Sequence, residues 1–361
     1  MNRLYTEYEK FKKRIFEVSQ YIENTTSKNK IITELINLSD NDEHQSFLNY
    51  LKSLTSSTVQ YNAIIISLYA CYENYMDSLL KEYLNILFEN IEKLEDIPTK
   101  LYDKYQFKLG EFLSNPHRFP DELNIHSAVQ KFNNLLESDF SSGIDKLLIL
   151  SRPNNLHPET LFTLMNDLGI KESEAQILSL DLFKNYYINT VGMDDNDYEL
   201  KKTRKEKGKN NTLFAPLDEL VSQRNNVAHS WGGDNRLTTT EITNNVIPFI
   251  VVFGECVLRI CLMSIFEKIP ENKYNFIDKK PINVIRNHIL CINSQNTKIQ
   301  NGDYVLYKSN IKNKCGKIIK IEENGTEILQ VREAQDIPIG IELDETVKKN
   351  DIICFVVNKP M

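Results

Sequence analysis

Residues 67–84 read SLYACYENYMDSLLKEYL, and they lie inside a longer apolar pattern over residues 58–91. Ile64, Ile65, Leu68, Tyr72, Tyr75, Met76, Leu79, Leu80, Tyr83, Leu84 and Leu87 recur there at three- and four-residue steps with no proline between them. That spacing and length predict one long helix near the centre of the core. On its N-terminal side, Phe11, Ile15, Val18 and Ile22 predict an amphipathic helix over 4–22, with further helices over 31–38 and 43–54.

On its C-terminal side, Pro98, Pro116, Pro120, Pro153 and Pro158 cut residues 92–213 into short helices and loops. Residues 160–168 and 173–185 read as helical, the second opening on a Ser173/Gln176 capping box. Pro216 suits a first helical turn, so a helix is expected through Leu217, Leu220 and Val221 to Ala228, closed by Gly232 and Gly233. Residues 239–268 form the last long helix. Its most apolar part, 246–265, carries Pro248, Glu255 and Arg259. A membrane span needs about 20 apolar residues with few or no charges, so a buried helix is the better reading.

The period changes to two after about residue 280. Residues 282–292 form one more short helix or strand, and 304–307 read as a strand. Segments 316–321 and 327–332 flank Asn324-Gly325, a strong hairpin signal, and 337–343 and 352–357 complete about five strands. The expected fold class is mostly α, a helical bundle with a helical insertion, plus a small C-terminal β-barrel-like domain. The expected divisions are N-terminal helices over 1–57, a helical domain over 58–275 with its insertion at about 92–213, and the β domain over 296–361.

Composition narrows function by exclusion. The 361 residues are 41% hydrophobic and 26% charged, with 12 Gly and 11 Pro, which excludes a disordered or collagen-like chain. The net charge is −7, unlike a protein that coats nucleic acid, so any such contact is local. The six cysteines form no CxxC pair and sit in apolar runs, against a zinc site and in keeping with a reducing compartment. The N-terminus lacks a secretory apolar region. A cytoplasmic protein that contacts no membrane is expected.

Arg224-Asn225-Asn226-Val227-Ala228-His229 is the segment that suits chemistry. Arginine is a permanent cation whose planar fork fits phosphate, and histidine moves protons near neutral pH. RNA cleavage without metal needs both, because a proton is transferred while charge builds on phosphorus. The 2′-OH is itself the nucleophile. Five residues of ideal helix turn about 500°, leaving Arg224 and His229 about 140° apart. They converge only if the helix frays at Ala228 or if a second subunit supplies half of the site.

RNNVAHSW, preceded by Leu217, Leu220 and Val221, resembles the R-x4-6-H signature of HEPN domains, with Asn225 at the variable polar position. Residues 67–84 resemble the first core helix of the RiboL-PSP branch of that family. The resemblance covers about 58–92 and 214–268. It implies a metal-independent endoribonuclease with no cofactor, acting as a toxin or anti-phage abortive-infection effector. It implies a homodimer whose paired motif helices form one RNA-cutting cleft. Arg224 and His229 would carry the chemistry, Asn225 would assist, and Glu73 would orient Arg224 by a charge-assisted hydrogen bond. The alternative is a non-catalytic module binding RNA, nucleotide or protein through the same residues. Some relatives continue the motif as H-x-Tyr with the Tyr modified by a partner; Trp231 stands here instead.

The segment KKTRKEKGKNN at 201–211 carries a local charge of +5, and its Lys201, Lys202, Arg204 and Lys205 are candidates for tracking an RNA backbone. Trp231 is a candidate for stacking a base. His44, His117, His126, His157 and His288 read as exposed or structural, and the acidic run Asp194, Asp195, Asp197 as a solvated loop rather than a metal site. Residues 337–357 loosely resemble the β-barrel second domain of translation GTPases. The β domain is expected to receive a protein trigger or inhibitor.

Overall fold

A computed structural model describes residues 1–39, 41–53, 57–140, 143–203, 211–229, 236–268, 281–294, 298–309, 313–331 and 337–357. The helices in chain order are α1 (Asn2–Leu38), α2 (Asp42–Ser53), α3 (Ser57–Phe88), α4 (Thr99–Ser114), α5 (Ile125–Leu136), α6 (Lys146–Leu150), α7 (Pro158–Asp167), α8 (Ser173–Leu178), α9 (Asp181–Asn185), α10 (Asp195–Thr203), α11 (Ala215–His229), α12 (Thr239–Glu241) and α13 (Ile247–Lys268). Two helices expected at 4–22 and 31–38 are one. Residues 23–30 are polar but hold no Gly or Pro, so nothing in them breaks the backbone ladder.

Three long helices make the core. α1 lays Leu4, Tyr5, Tyr8, Phe11, Ile15 and Ile22 along α3 and α13. α13 is buried on every side, and 83% of its most apolar window is inside the molecule, as expected for a core helix. Gly254 of α13 lets Phe11 and Tyr75 approach, since a Cβ there would meet Phe11 at 2.9 Å. α12 joins α13 through a wide π turn at Ile242–Val246. That turn accommodates Pro248, whose ring would clash with the carbonyl four residues back in a regular helix. A second π turn, Tyr186–Thr190, ends α9, and the Tyr186 hydroxyl donates to the Asn245 carbonyl at 3.4 Å. The capping box expected at Ser173 does not form. Glu172 takes the N-cap in a left-handed conformation with no side-chain bond.

The strands are β1 (Asn283–Ile285), β2 (Ile289–Asn293), β3 (Ile299–Gln300), β4 (Tyr304–Lys308), β5 (Asn313–Glu323), β6 (Thr326–Ile328), β7 (Gln330–Val331), β8 (Pro338–Leu343) and β9 (Ile352–Val357). They form a curled antiparallel sheet ordered β1-β2-β8-β5-β4-β9, with β6 paired to β5 and a separate β3-β7 pair. The sheet is a half-barrel. Asn324 and Gly325 both have positive φ and close the expected β5–β6 hairpin. Residues 282–292 are a second hairpin, turned by Arg286 and Asn287.

β4 joins the two layers. Its alternate residues Tyr304 and Leu306 enter the helical core, while Val305 and Tyr307 enter the sheet's own core. Arg259 of α13, fully buried, donates to Glu255 at 2.6 Å and grips Asp344, beyond β8, through both terminal nitrogens. Glu255 also accepts from the Tyr8 hydroxyl at 3.0 Å and the Tyr304 hydroxyl at 2.9 Å. Burial opposes the Glu255 charge, but Arg259 and Lys317 beside it hold its carboxyl down at about 2. A second clasp lies alongside. The Asp181 N–H donates to Glu345 at 3.1 Å and the Thr346 N–H to Asp181 at 2.9 Å.

Candidate active site

α11 packs its Leu217, Leu220 and Val221 side against α3, which turns Arg224 inward and His229 outward. The helix stays intact through His229, so fraying at Ala228 does not bring the pair together. Asn225 shortens the gap. It lies about 40° from His229 around the helix and one turn before it. Its Oδ1 accepts from Arg224 Nη1 at 3.3 Å, which draws the guanidinium toward the His229 side.

Arg224 is half-buried, and its Cζ lies 5.2 Å from the centre of the Tyr69 ring. Such a shelf holds a cation by the ring's negative face without neutralising it. Among the described residues no carboxylate forms an ion pair with Arg224. Tyr69 is itself buried, accepts from the Leu156 N–H at 3.0 Å and donates to Glu73 at 3.1 Å. Burial pushes its phenol up to about 12, so it remains a neutral donor.

The contact expected between Glu73 and Arg224 is not made. Glu73 receives Arg152 Nη2 at 2.9 Å, and Asp77, one turn on, receives Arg152 Nη1 at 2.6 Å. Arg152 comes from the insertion and reaches these acids first. Burial works against its cation, but Asp77 and Glu73 more than offset that and raise its pKa above the ordinary value. Two neighbours of Arg152 bind α11 directly. Asn155 Nδ2 donates to Asn225 Oδ1, and His157 Nδ1 lies 3.0 Å from Asp218 Oδ1. Asp218, Ser222, Asn225 and His229 share one face of α11, so residues 151–157 run along the face that carries the motif histidine.

Lys201 and Lys202 stand elsewhere. They end α10, and Asn211 Nδ2 donates to the Lys201 carbonyl at 2.9 Å, just before α11 begins. A fifteen-residue helix is about 22 Å long, so they sit near the end of α11 opposite His229. Arg204, Lys205 and Trp231 lie outside the described residues, as do Gly232 and Gly233. Cys71, Cys256, Cys261, Cys291 and Cys315 are free thiols, and among the described residues no three His, Cys, Asp or Glu converge on a point that would hold a metal.

Tyr69, Arg152, Asn155, His157 and Asp218 were not singled out as site residues by the sequence. Only Tyr69 leaves a local trace, four residues before Glu73 on one helix face. Arg152, Asn155 and His157 reach α3 and α11 across 61 to 79 positions, which no short-range pattern reports, and Asp218 is marked only by the His157 it meets.

Comparison with curated proteins and with solved structures finds no match. The family model RiboL-PSP-HEPN matches residues 28–263. It spans the insertion as well as the two stretches that carry the sequence resemblance, and it begins within α1. The match covers well over half of the chain, and the C-terminal sheet lies beyond it. The protein belongs to the RiboL-PSP-HEPN family and carries an additional β module.

Proposed function

We propose that this chain is a metal-independent endoribonuclease, and that it serves as a toxin or abortive-infection effector in the cytoplasm. Family membership supports an RNase-like module. The observation that carries the catalytic reading is the state of Arg224. Its guanidinium rests on an aromatic shelf, free of a carboxylate among the described residues, beside the exposed His229 face. A guanidinium held in this way offers its full charge to a phosphate.

In this reading the 2′-OH attacks phosphorus in line. A P–O2′ bond forms, the P–O5′ bond breaks, and the products carry a 2′,3′-cyclic phosphate and a 5′-OH. His229 transfers a proton at one of these oxygens. Arg224 stabilises the charge that builds on the phosphoryl oxygens, with Asn225 holding its head group. Because α11 remains helical to its end, a second subunit pairing its α11 across a two-fold axis is the natural source of the other proton-transfer group. Glu73 has no direct part in this chemistry, since it accepts from Arg152 and Tyr69 instead of Arg224. Lys201, Lys202, Arg204 and Lys205 would guide the RNA strand, with Trp231 stacking a base. The half-barrel would receive a protein trigger or inhibitor.

The test is RNA cleavage by purified protein in EDTA, with product ends identified. Loss of about 100-fold or more in both Arg224→Ala and His229→Ala is expected, given what a positioned acid–base or charge-stabilising group contributes. Equal residual cutting in parent and variants refutes the enzyme. RNA binding that is lost with Arg224→Ala, but is never followed by cutting, supports the non-catalytic module.

A further inference from the structure

Glu73 and Asp77 sit one turn apart on α3, and Tyr69 sits one turn before Glu73. Three groups therefore rise in a column: the shelf under Arg224, then two carboxylates. Arg152 caps that column with its side chain 14% exposed, while the two acids are about a third exposed. The Glu73 oxygen that accepts from Arg152 is the same oxygen that accepts from Tyr69. Without Arg152, two uncompensated negative charges would stand one and two helical turns from the Tyr69 shelf that holds the motif cation. The nearer acid is then the obvious partner for Arg224, and a guanidinium neutralised by a carboxylate is a poorer phosphate ligand.

The same segment of the insertion touches the motif a second time. Asn225 Oδ1 accepts from Asn155 Nδ2 and from Arg224 Nη1. Asn155 therefore fixes which atom of the Asn225 carboxamide faces Arg224. If the carboxamide rotated, its NH2 would face the guanidinium, donor against donor, and the tether toward His229 would be lost. His157 is the third attachment. Its partner Asp218 lies seven residues before Asn225, about 10 Å along the axis, too far for His157 to share the scissile phosphate with His229. It anchors the segment.

We infer that Arg152 and Asn155 are positioning residues of this site: Arg152 occupies Glu73 and Asp77 so that Arg224 keeps its charge for the substrate phosphate, and Asn155 orients Asn225 so that Arg224 points toward His229. This rests on the ribonuclease reading of Arg224 and His229. It reverses the sense of the acid on α3, which becomes a competitor for Arg224 rather than its support.

The test is a suppressor series on the full chain, read as kcat and KM for RNA cleavage in EDTA. Arg152→Ala lowers kcat about tenfold or more, the loss of one charge-assisted interaction. The triple variant Arg152→Ala/Glu73→Gln/Asp77→Asn, which removes the competing charges, recovers to within about threefold of the parent. Glu73→Gln alone retains more activity than Arg152→Ala. Asn155→Ala lowers kcat with little change in KM. A triple variant that is folded yet as slow as Arg152→Ala overturns the inference, because a merely structural role for Arg152 is not repaired by deleting its partners. Glu73→Gln as inactive as Arg224→Ala also overturns it. Binding of an RNA oligonucleotide carrying 2′-deoxy at the cutting position separates the two proposals. If the parent does not cut but binds this probe through Arg224, the same weakening by Arg152→Ala and recovery by the triple variant upholds the positioning role, and their absence refutes it.

Discussion

Tyr69 has two parts with two jobs, and substitutions can separate them. Its ring supports Arg224, and its hydroxyl bonds Glu73 and the Leu156 N–H. Tyr69→Leu keeps apolar bulk but removes the shelf, and cutting is expected to fall about tenfold, about 1.4 kcal/mol, between the exposed and desolvated cation–π energies as suits a half-buried cation. Tyr69→Phe keeps the shelf and leaves the Leu156 N–H unpaired. It is expected to cost about 1–3 kcal/mol in urea denaturation while sparing most of the activity. The reverse ordering would place the hydroxyl, rather than the ring, in the chemistry. The motif itself was legible because Arg, Asn and His fall within six consecutive residues. The residues that prepare it were not, since Arg152, Asn155 and His157 reach α3 and α11 through the tertiary fold alone.

Among the elements, the long helices read well and the interruptions read poorly. The apolar stripe of α3 and the buried length of α13 follow from periodicity and hydropathy. The two π turns leave no comparable pattern: Pro248 counted in the sequence only against a membrane span, and nothing there shows the backbone widening ahead of it. The polar stretch within α1 suggested a break where the structure has none, because polarity alone does not stop a helix that lacks Gly and Pro. Gly254 shows how closely these elements approach. A methyl there meets Phe11 at 2.9 Å and Tyr75 at 3.1 Å, both stacked aromatics in the core. Gly254→Ala is therefore expected to destabilise by about 1–3 kcal/mol, despite alanine's better helix propensity, and a denaturation midpoint equal to the parent's would show that α1 can shift.

For the molecule as a whole, the question is how the sheet is joined to the helices. The change of period near residue 280 was visible in the sequence, but the junction was not. β4 contributes to both cores, and Arg259 with Asp344 crosses between them. Removing 296–361 would thus uncover the helical core, so a trigger or inhibitor acting on this module is better sought with surface substitutions on the half-barrel. Arg259→Met leaves the buried Glu255 and the part-buried Asp344 without their shared guanidinium and is expected to cost about 3–5 kcal/mol. The same junction sets a pH response. Glu255, held at about 2 against an ordinary 4.5, adds stability above pH 4.5 that is lost as pH falls toward 2. Glu345 runs the other way. Burial and the nearby Asp181 charge raise it from 4.5 to about 7, so the folded state binds the extra proton and stability falls as pH rises from 4.5 to 7. Melting temperature against pH should show the upper slope in the parent and lose it in Glu345→Gln. A slope that survives that substitution assigns it to another group.

The Arg259–Asp344 clasp also bears on the order of synthesis. Asp344 leaves the ribosome 85 residues after Arg259, and until then the helix at the centre of the core carries a cation with half of its acidic partners missing. A nascent chain holding the whole Arg224–His229 motif still lacks the piece that lets α13 settle, and α13 is what α3 and α11 pack against. Chains released early by a truncated message would expose their core to proteases rather than fold around a finished motif. For a chain proposed to cut RNA, maturation that waits for Asp344 and the strand before it would keep the translation machinery safe from a partly made product.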